Sequence, residues 1–501
     1  MKNSQANFKL GHYQNNRDEP PGPNPAPLVW KPSLLWAALA VVCFNLAYSF
    51  PTMPFAGLFI FGFALGLVKL TEQATVRRAF YFGLATAFFA YAPQLLFFWK
   101  IFHQAAVVLW LVLAFWVGLF AALVCGATRR WGRGRVLWLI PTLWTGLEYV
   151  RSELYYLKFS WLNLGYVLPN QAGLNLFVKL GMYGEGFLVM AIVTVLVHWR
   201  WFRQLDWKAA GLALLGLWVG VVLLAFYCAY ASAARYAFRL PTITITGIQW
   251  EFPNDYIVAR SLDQAFKKNP ESQIFVLSEY TLDGGVPDNL KTWCRTHGRY
   301  LVIGGKDYLT NDVYYNTAFV VGTNGDVVFR QAKSVPIQFF KDGRPAPSQS
   351  VWNSPWGKIG LCICYDLSYT RVTDELIRQG AQLLIVPTMD VEEWGRAQHA
   401  LHARVAPVRA AEYGVPIFRL ASSGISQAVN GAGGVVAHTA FAGRGDFLTG
   451  SFILPASGAL PVDRVFAPLC VAATLLVTVS LLWIRWMEIR ALAALRAAVP
   501  K

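Results

Sequence analysis

Apolar runs of near membrane-crossing length fill the first half of the chain, at about 33–50, 54–71, 79–99, 105–127, 135–150, 174–199 and 209–231; another lies at 465–484. A helix needs roughly 20 apolar residues to cross the hydrocarbon core, and somewhat shorter ones are tolerated. The pattern predicts a polytopic α-helical membrane bundle of about eight spans, the fifth of them short and interrupted by Pro141. Residues 1–32, which include QNNRDEPPGPNPAP, read as a flexible tail without the early apolar core of a cleavable signal peptide. Between 236 and 463 the pattern changes to short β-branched or apolar runs: TITITGI, IFVLSE, YLVIGG, AFVVG, KIGLCICY and AQLLIVPT. Helical periodicity at 371–380 and 397–413 separates some of them. Such alternation predicts a layered α/β domain. The expected organisation is a tail (1–32), a seven-span region (33–231), a soluble domain (236–463), a last span (464–485) and a tail (486–501).

Charge gives this arrangement a direction. Of the 501 residues only 14% are charged and 55% are hydrophobic, against about 25% charged in soluble domains. The net charge of +16 does not imply nucleic acid, because the basic residues cluster in short loops between apolar runs. Arg77 and Arg78, then Arg129, Arg130, Arg133 and Arg135, then Arg200, Arg203 and Lys208 occupy alternate loops, and Arg485, Arg490 and Arg496 follow the last run. Lys2, Lys9, Arg17 and Lys31 precede the first run. Basic loops stay cytoplasmic, which predicts that both termini are inside and the soluble domain is outside, with anionic lipids as neighbours. The seven cysteines have no framework spacing, and four of them lie in apolar runs, so a disulfide scaffold is not expected.

One of the remaining cysteines carries the chemistry. Cys364 lies in GKIGLCICYDLSY; Cys362 and Cys364, separated by one residue in a predicted strand, are expected to point to opposite faces, with Cys364 the reactive one. A thiol titrates near ~8.5, so in a neutral pocket it needs a base and an oxyanion donor to act as a nucleophile. Glu279, ending the apolar run FVLSE, suits the role of proton acceptor; Lys333 in FRQAKSVP supplies a cation for thiolate and oxyanion. The backbone N–H of Tyr365 is a candidate second oxyanion donor. Trp394, Phe339 and Phe340 are candidates for an apolar substrate entrance, and Asn316 is expected to stabilise a turn near the pocket. His399 and His402, three apart on a helical stretch, read as packing residues rather than metal ligands, and no metal or cofactor is expected. Glu148 and Glu185, near span ends, read equally as structural hydrogen-bonding groups or as substrate-positioning ones.

The order Glu279, Lys333, Cys364, together with LSEY, YNTAFVV (315–321) and CICYD, resembles the nitrilase (carbon–nitrogen hydrolase) superfamily. WTGLEYVR (144–151), SWLNLGY (160–166), GMYGEGFLVM (181–190) and the stretch 387–426 extend the resemblance to the bacterial apolipoprotein N-acyltransferase family, from about 33 to 485. That resemblance implies a nitrilase-like α-β-β-α sandwich on the periplasmic side of a bacterial inner membrane. It also implies a ping-pong acyl transfer from a membrane phospholipid, through a cysteine thioester, to the N-terminal amine of diacylglyceryl-cysteine lipoproteins. The sequence departs from the family in one segment: no glutamate follows Lys333 before Cys364, and Asp342 is the acid expected to substitute. Asp366 stands where the acyltransferases commonly have glutamate. Two further readings are a membrane-anchored carbon–nitrogen hydrolase (amidase) and a catalytically silent membrane scaffold.

Overall fold

The computed structural model describes residues 30–50, 55–168, 180–199, 242–310, 312–455 and 457–497. Most of the expected N-terminal tail and the whole of the run at 209–231 lie outside the described residues. Helices cover the other expected spans: α1 (Trp30–Ser49), α2 (Phe59–Leu70), α3 (Val76–Gln94), α4 (Phe97–Phe102), α5 (Ala105–Trp131), α6 (Arg133–Val136), α7 (Leu139–Tyr149) and α8 (Met182–Val197). Three stretches among the described residues are long and apolar enough to cross a membrane: Pro32–Ser49, Ala105–Trp131 and Asp463–Ala494. Over the fifth expected span the helix is broken between α6 and α7, and α7 continues past Tyr149 as a π-helical turn over Val150–Leu154.

Apolar side chains stay exposed on the long helices, among them Leu35, Val108, Leu476 and Leu482. Helices apolar all round are suited to a lipid environment, where packing rather than water exclusion holds them together. Small residues therefore sit at the crossings. A Cβ added to Gly83 would stand 2.9 Å from the Val117 carbonyl oxygen, and one added to Gly146 would stand 2.6 Å from that of Cys470.

The second half folds into two six-stranded sheets. Their strands are β1 (Thr242–Ile248), β2 (Ile274–Leu277), β3 (Tyr300–Thr310), β4 (Val313–Val321), β5 (Val327–Ala332), β6 (Val351–Ser354), β7 (Gly357–Leu361), β8 (Leu383–Thr388), β9 (Ile417–Ala421), β10 (Gln427–Val429), β11 (Val435–His438) and β12 (Phe447–Ile453). One sheet has the order β12-β1-β2-β3-β4-β5 and the other β11-β10-β9-β8-β7-β6. Parallel pairs form the middle of each (β1–β2–β3 and β7–β8–β9), with antiparallel strands outside them. Strands covered on both faces need apolar residues at every position, which is why IFVL and LLIVPT read as continuous runs. In β2, Ile274 and Val276 join the core shared with the other sheet. Phe275 and Leu277 pack with the helix layer of α9 (Asp255–Lys268) and α10 (Asp288–His297). Helices α11 (Thr370–Arg378), α12 (Arg396–Ala403) and α13 (Val405–Tyr413) follow in the second half-domain, and α14 (Asp463–Ala497) returns to the bundle against α7 and α8.

Two expectations change. The run KIGLCICY is not one strand: β7 ends at Leu361, and Cys364 opens a short 3-10 turn over Cys364–Ser368 with φ +53°. The expected opposite faces do not hold: residues two apart in a strand share a face, and here the strand ends before either cysteine, so alternation does not set their relation. The last helix also runs past 485 to Ala497, continued by an Arg485–Glu488 pair at 3.4 Å and by Arg490 stacked 4.0 Å from the Trp486 ring.

The α7–α14 crossing is tight enough to test. Gly146→Leu should force the helices apart, an overpacking cost of about 1–3 kcal/mol or more. Thermal unfolding in detergent should show a lower transition temperature; an unchanged one would refute this account of the crossing.

Candidate active site

β2 delivers the first acid. Its apolar residues hold the strand between two covered faces, and Glu279, two residues beyond its end, is buried. Gly304 on β3 permits this close approach: a Cβ there would meet the Glu279 Cα and the Ser278 carbonyl oxygen at 2.6 Å. Both carboxylate oxygens of Glu279 are occupied. Oε1 accepts from Lys333 Nζ at 2.9 Å and from Asn316 Nδ2 at 2.6 Å, and Oε2 accepts from the Met389 N–H at 2.7 Å.

Lys333 follows β5 directly, and its own N–H bonds to the Asn316 carbonyl at 2.8 Å. The fully buried Nζ also lies 2.7 Å from Asp342 Oδ2. Asp342 is thus the second acid on this lysine. Its Oδ1 accepts from the Tyr280 hydroxyl and from Asn316 Nδ2, each at 2.8 Å, and its Oδ2 accepts from the Ile337 N–H at 2.7 Å. Asn316 does not stabilise a turn. It lies within β4, buried, where the two N–H bonds of its amide can bridge two carboxylates that a strand and a loop bring together.

Cys364 completes the group. Its thiol is buried and donates to the Met389 carbonyl at 3.8 Å. Burial and the neighbouring Glu279 push the thiol well above its ordinary value, and Lys333 opposes them. Burial also raises Glu279, although Lys333 pulls it down. Burial alone would lower Lys333, but Asp342 and Glu279 outweigh it and hold the ammonium protonated. The resting arrangement is a neutral thiol, a fixed cation and a carboxyl group able to take a proton, which is the equipment of nucleophilic acyl chemistry.

Sequence reasoning missed the parts that hold this group in place. Asp366 accepts from the N–H groups of Ser334 (3.0 Å), Val335 (2.7 Å) and Ile363 (3.3 Å), tying the Cys364 turn to the Lys333 segment. Asp390, next to Met389, accepts from Gln398 Nε2 at 3.0 Å, from His402 Nδ1 at 2.8 Å and from the Arg419 guanidinium. His399 Nε2 lies 2.9 Å from the Val391 carbonyl. Both histidines thus brace the 389–394 loop, and no cluster of metal-ligating side chains occurs among the described residues. The sequence signal for this brace was slight: PTMD follows an apolar strand, but nothing local pairs Asp390 with Arg419.

The family-like segments of the bundle meet the domain here. Trp161 donates from Nε1 to Ser368 Oγ at 2.9 Å, stacks on His402 at 4.8 Å and meets the Tyr365 ring edge-on at 5.5 Å. Glu148 Oε1 accepts from the Leu164 N–H at 3.1 Å, a structural contact, whereas Glu185 is buried with no hydrogen-bond partner for either oxygen among the described residues. An apolar cavity of about 120 Å³ opens between bundle and domain. Phe98 and Phe102 of α4 face Phe339, Phe340 and Trp394 across it, and Tyr365 forms part of its wall. The three aromatic residues expected at an entrance thus lie together in the wall of one apolar cavity.

Asp366 offers a test with a defined sign. Burial pushes its carboxyl up to about 6, whereas an unfolded aspartate titrates near ~3.9. The folded state binds this proton more tightly, so the contribution to stability is fullest below about pH 4 and is lost as pH rises through about 6. Asp366→Asn should flatten the stability profile over that window. It should also destabilise the domain by about 1–3 kcal/mol at neutral pH, because one carbonyl oxygen replaces two acceptors. Thermal melts across pH, with an unchanged slope in the variant, would assign the effect to another group.

Comparison with known proteins agrees with this geometry. Residues 228–444 match the carbon–nitrogen hydrolase family and residues 40–195 match the apolipoprotein N-acyltransferase N-terminal domain. The apolipoprotein N-acyltransferase of Geobacter metallireducens is 24% identical over 447 residues, covering 77% of this chain and 84% of that protein. A deaminated glutathione amidase of Dictyostelium discoideum is 31% identical over 129 residues, 23% of this chain and 44% of that protein. Among solved structures, a carbon–nitrogen hydrolase from Helicobacter pylori G27 aligns at 17% identity over 42% of this chain and 89% of that one, with a TM-score of 0.38. With the two domains in this order and a relative spanning most of its length, the chain belongs to the apolipoprotein N-acyltransferase family of the nitrilase superfamily.

Proposed function

We propose that this protein moves a fatty acyl chain from a membrane phospholipid to the N-terminal amine of a diacylglyceryl-cysteine lipoprotein, through a thioester on Cys364. The observation that carries the reading is the buried Glu279–Lys333–Cys364 group beside an apolar cavity that opens between a lipid-suited bundle and the domain. In the first half-reaction Glu279 takes the thiol proton as sulfur attacks the ester carbonyl. Lys333, with the backbone N–H of Tyr365, stabilises the oxyanion; donors of this kind are worth about 3–4 kcal/mol each. The carbon–oxygen bond breaks, the proton passes from Glu279 to the departing glycerol oxygen, and a lysophospholipid leaves. In the second half-reaction the amine attacks the thioester, an amide forms, and the thiol regains its proton by way of Glu279.

The accompanying topology is eight spans with both termini in the cytoplasm of a bacterial cell and the catalytic domain on the periplasmic side of the inner membrane. It is supported by the basic residues in alternate loops and by the helices found over the expected runs. Both substrates would be held in the bilayer by their chains, since each buried methylene contributes about 0.8 kcal/mol.

Intact-mass spectrometry of the purified protein with phospholipid should show one acyl adduct, lost in Cys364→Ala and retained in Cys362→Ala. Adding a diacylglyceryl lipopeptide should discharge the adduct and add one acyl chain to the peptide amine. Free fatty acid with an unmodified peptide would favour a hydrolase instead, and no adduct under any condition would favour a silent scaffold.

Asp342→Asn removes one of the two acids on a buried ammonium, a change that costs about 3–5 kcal/mol when an ion pair is broken. Adduct formation should slow at least about tenfold; a wild-type rate would exclude Asp342 from the function assigned to it.

A further inference from the structure

The cavity wall is aromatic and aliphatic except at a few positions, and Lys158 contributes the one cation among its lining residues. Lys158 is fastened to the catalytic turn: its carbonyl accepts from the Tyr365 hydroxyl at 3.0 Å and from the Tyr369 hydroxyl at 3.3 Å. This fixes the residue beside the position immediately after the nucleophile. A second cation lies nearby. Arg371, at the start of α11, is exposed and donates from one Nη to the Ser334 carbonyl at 3.4 Å.

Neither cation has a carboxylate within ion-pair distance among the described residues. Glu153 is the acid whose charge reaches Lys158, but its Oε1 already accepts from the Tyr183 hydroxyl at 2.9 Å and the Thr370 N–H at 3.3 Å. Burial, followed by the like charge of Arg371, pulls the Lys158 ammonium below its ordinary value. Lys158 in the cavity wall and Arg371, two residues beyond the Tyr369 that bonds to the Lys158 carbonyl, are like charges that repel unless an anion joins them. A ligand that satisfies both features has a hydrocarbon chain and, a short distance from it, a phosphate.

We infer that Lys158 and Arg371 hold the phosphate of a glycerophospholipid while one of its acyl chains occupies the cavity, so that these two residues position the acyl donor and make the first half-reaction selective for phosphate-bearing lipids. The inference rests on the acyl-transfer reading above and deepens its donor side. Lysine binds phosphate as a point charge and arginine as a planar fork, so the pair recognises the phosphodiester rather than the group esterified beyond it. Phosphatidylglycerol and phosphatidylethanolamine share that phosphate, and diacylglycerol lacks it.

The test compares these three lipids, with identical acyl chains, as donors to the full-length protein in neutral detergent, following the adduct on Cys364 by intact mass. The wild type should acylate at least about tenfold faster from either phospholipid than from diacylglycerol, the size of effect expected when a charge-assisted phosphate contact is made or lost. In Lys158→Met/Arg371→Met the ratio of phospholipid to diacylglycerol rates should fall to within about threefold of one, and Lys158→Arg should keep most of the preference. A wild-type ratio near one, or a ratio preserved in the double variant, would overturn the inference while leaving acyl transfer intact. Absence of an adduct from all three lipids in the wild type would overturn the acyl-transfer reading itself and this inference with it.

Discussion

A protonated lysine buried between two carboxylates organises the two-sheet domain. Lys333 lies 2.9 Å from Glu279 and 2.7 Å from Asp342 with no exposed surface. A lone buried ammonium would lose its proton, and two buried carboxylates without a cation would hold theirs. Lys333 keeps its proton because both acids are beside it. The amide of Asn316 joins the same two acids, so the arrangement is braced by a strand, a strand end and a loop at once.

The rest of the site follows from the need to hold that cluster against a thiol. The Cys364 turn departs from the strand geometry before it, and Asp366 secures the departure with backbone N–H groups from two segments. Met389 faces both sides, with its N–H on Glu279 and its carbonyl on the thiol. Behind it the Asp390 carboxylate holds His402 and Arg419 in a buried polar network. Such networks are costly when incomplete, which ties the loop to one conformation.

The bundle is also part of the site. Trp161, from a segment between α7 and α8, packs on His402 and Tyr365, while Glu412 accepts from the Met182 N–H at 2.7 Å and Asp463 from the Tyr183 N–H at 2.9 Å. These contacts place the aromatic cavity where the two halves meet. A soluble domain of the same fold would need none of them.

Much of this was legible from residue order. Apolar runs marked the helices because crossing a membrane demands length and composition that no surface helix needs. Continuous runs such as IFVL and LLIVPT marked the doubly covered strands, and the Glu279, Lys333 and Cys364 trio was visible because each member lies in a distinctive local context. Strands β5, β6 and β9–β12 were missed, since three to seven residues of mixed polarity carry little periodic signal. By itself the sequence determined the two-part organisation and the identities of Glu279, Lys333 and Cys364, because those depend on local pattern. Only the tertiary structure decided that Asp342 is the second acid on Lys333, that Asn316 bridges two carboxylates, that Asp366 anchors the nucleophile's turn and that Lys158 stands at the cavity rim. Those are distances between segments far apart in the chain, and a distance of that kind exists only once the sheets have packed.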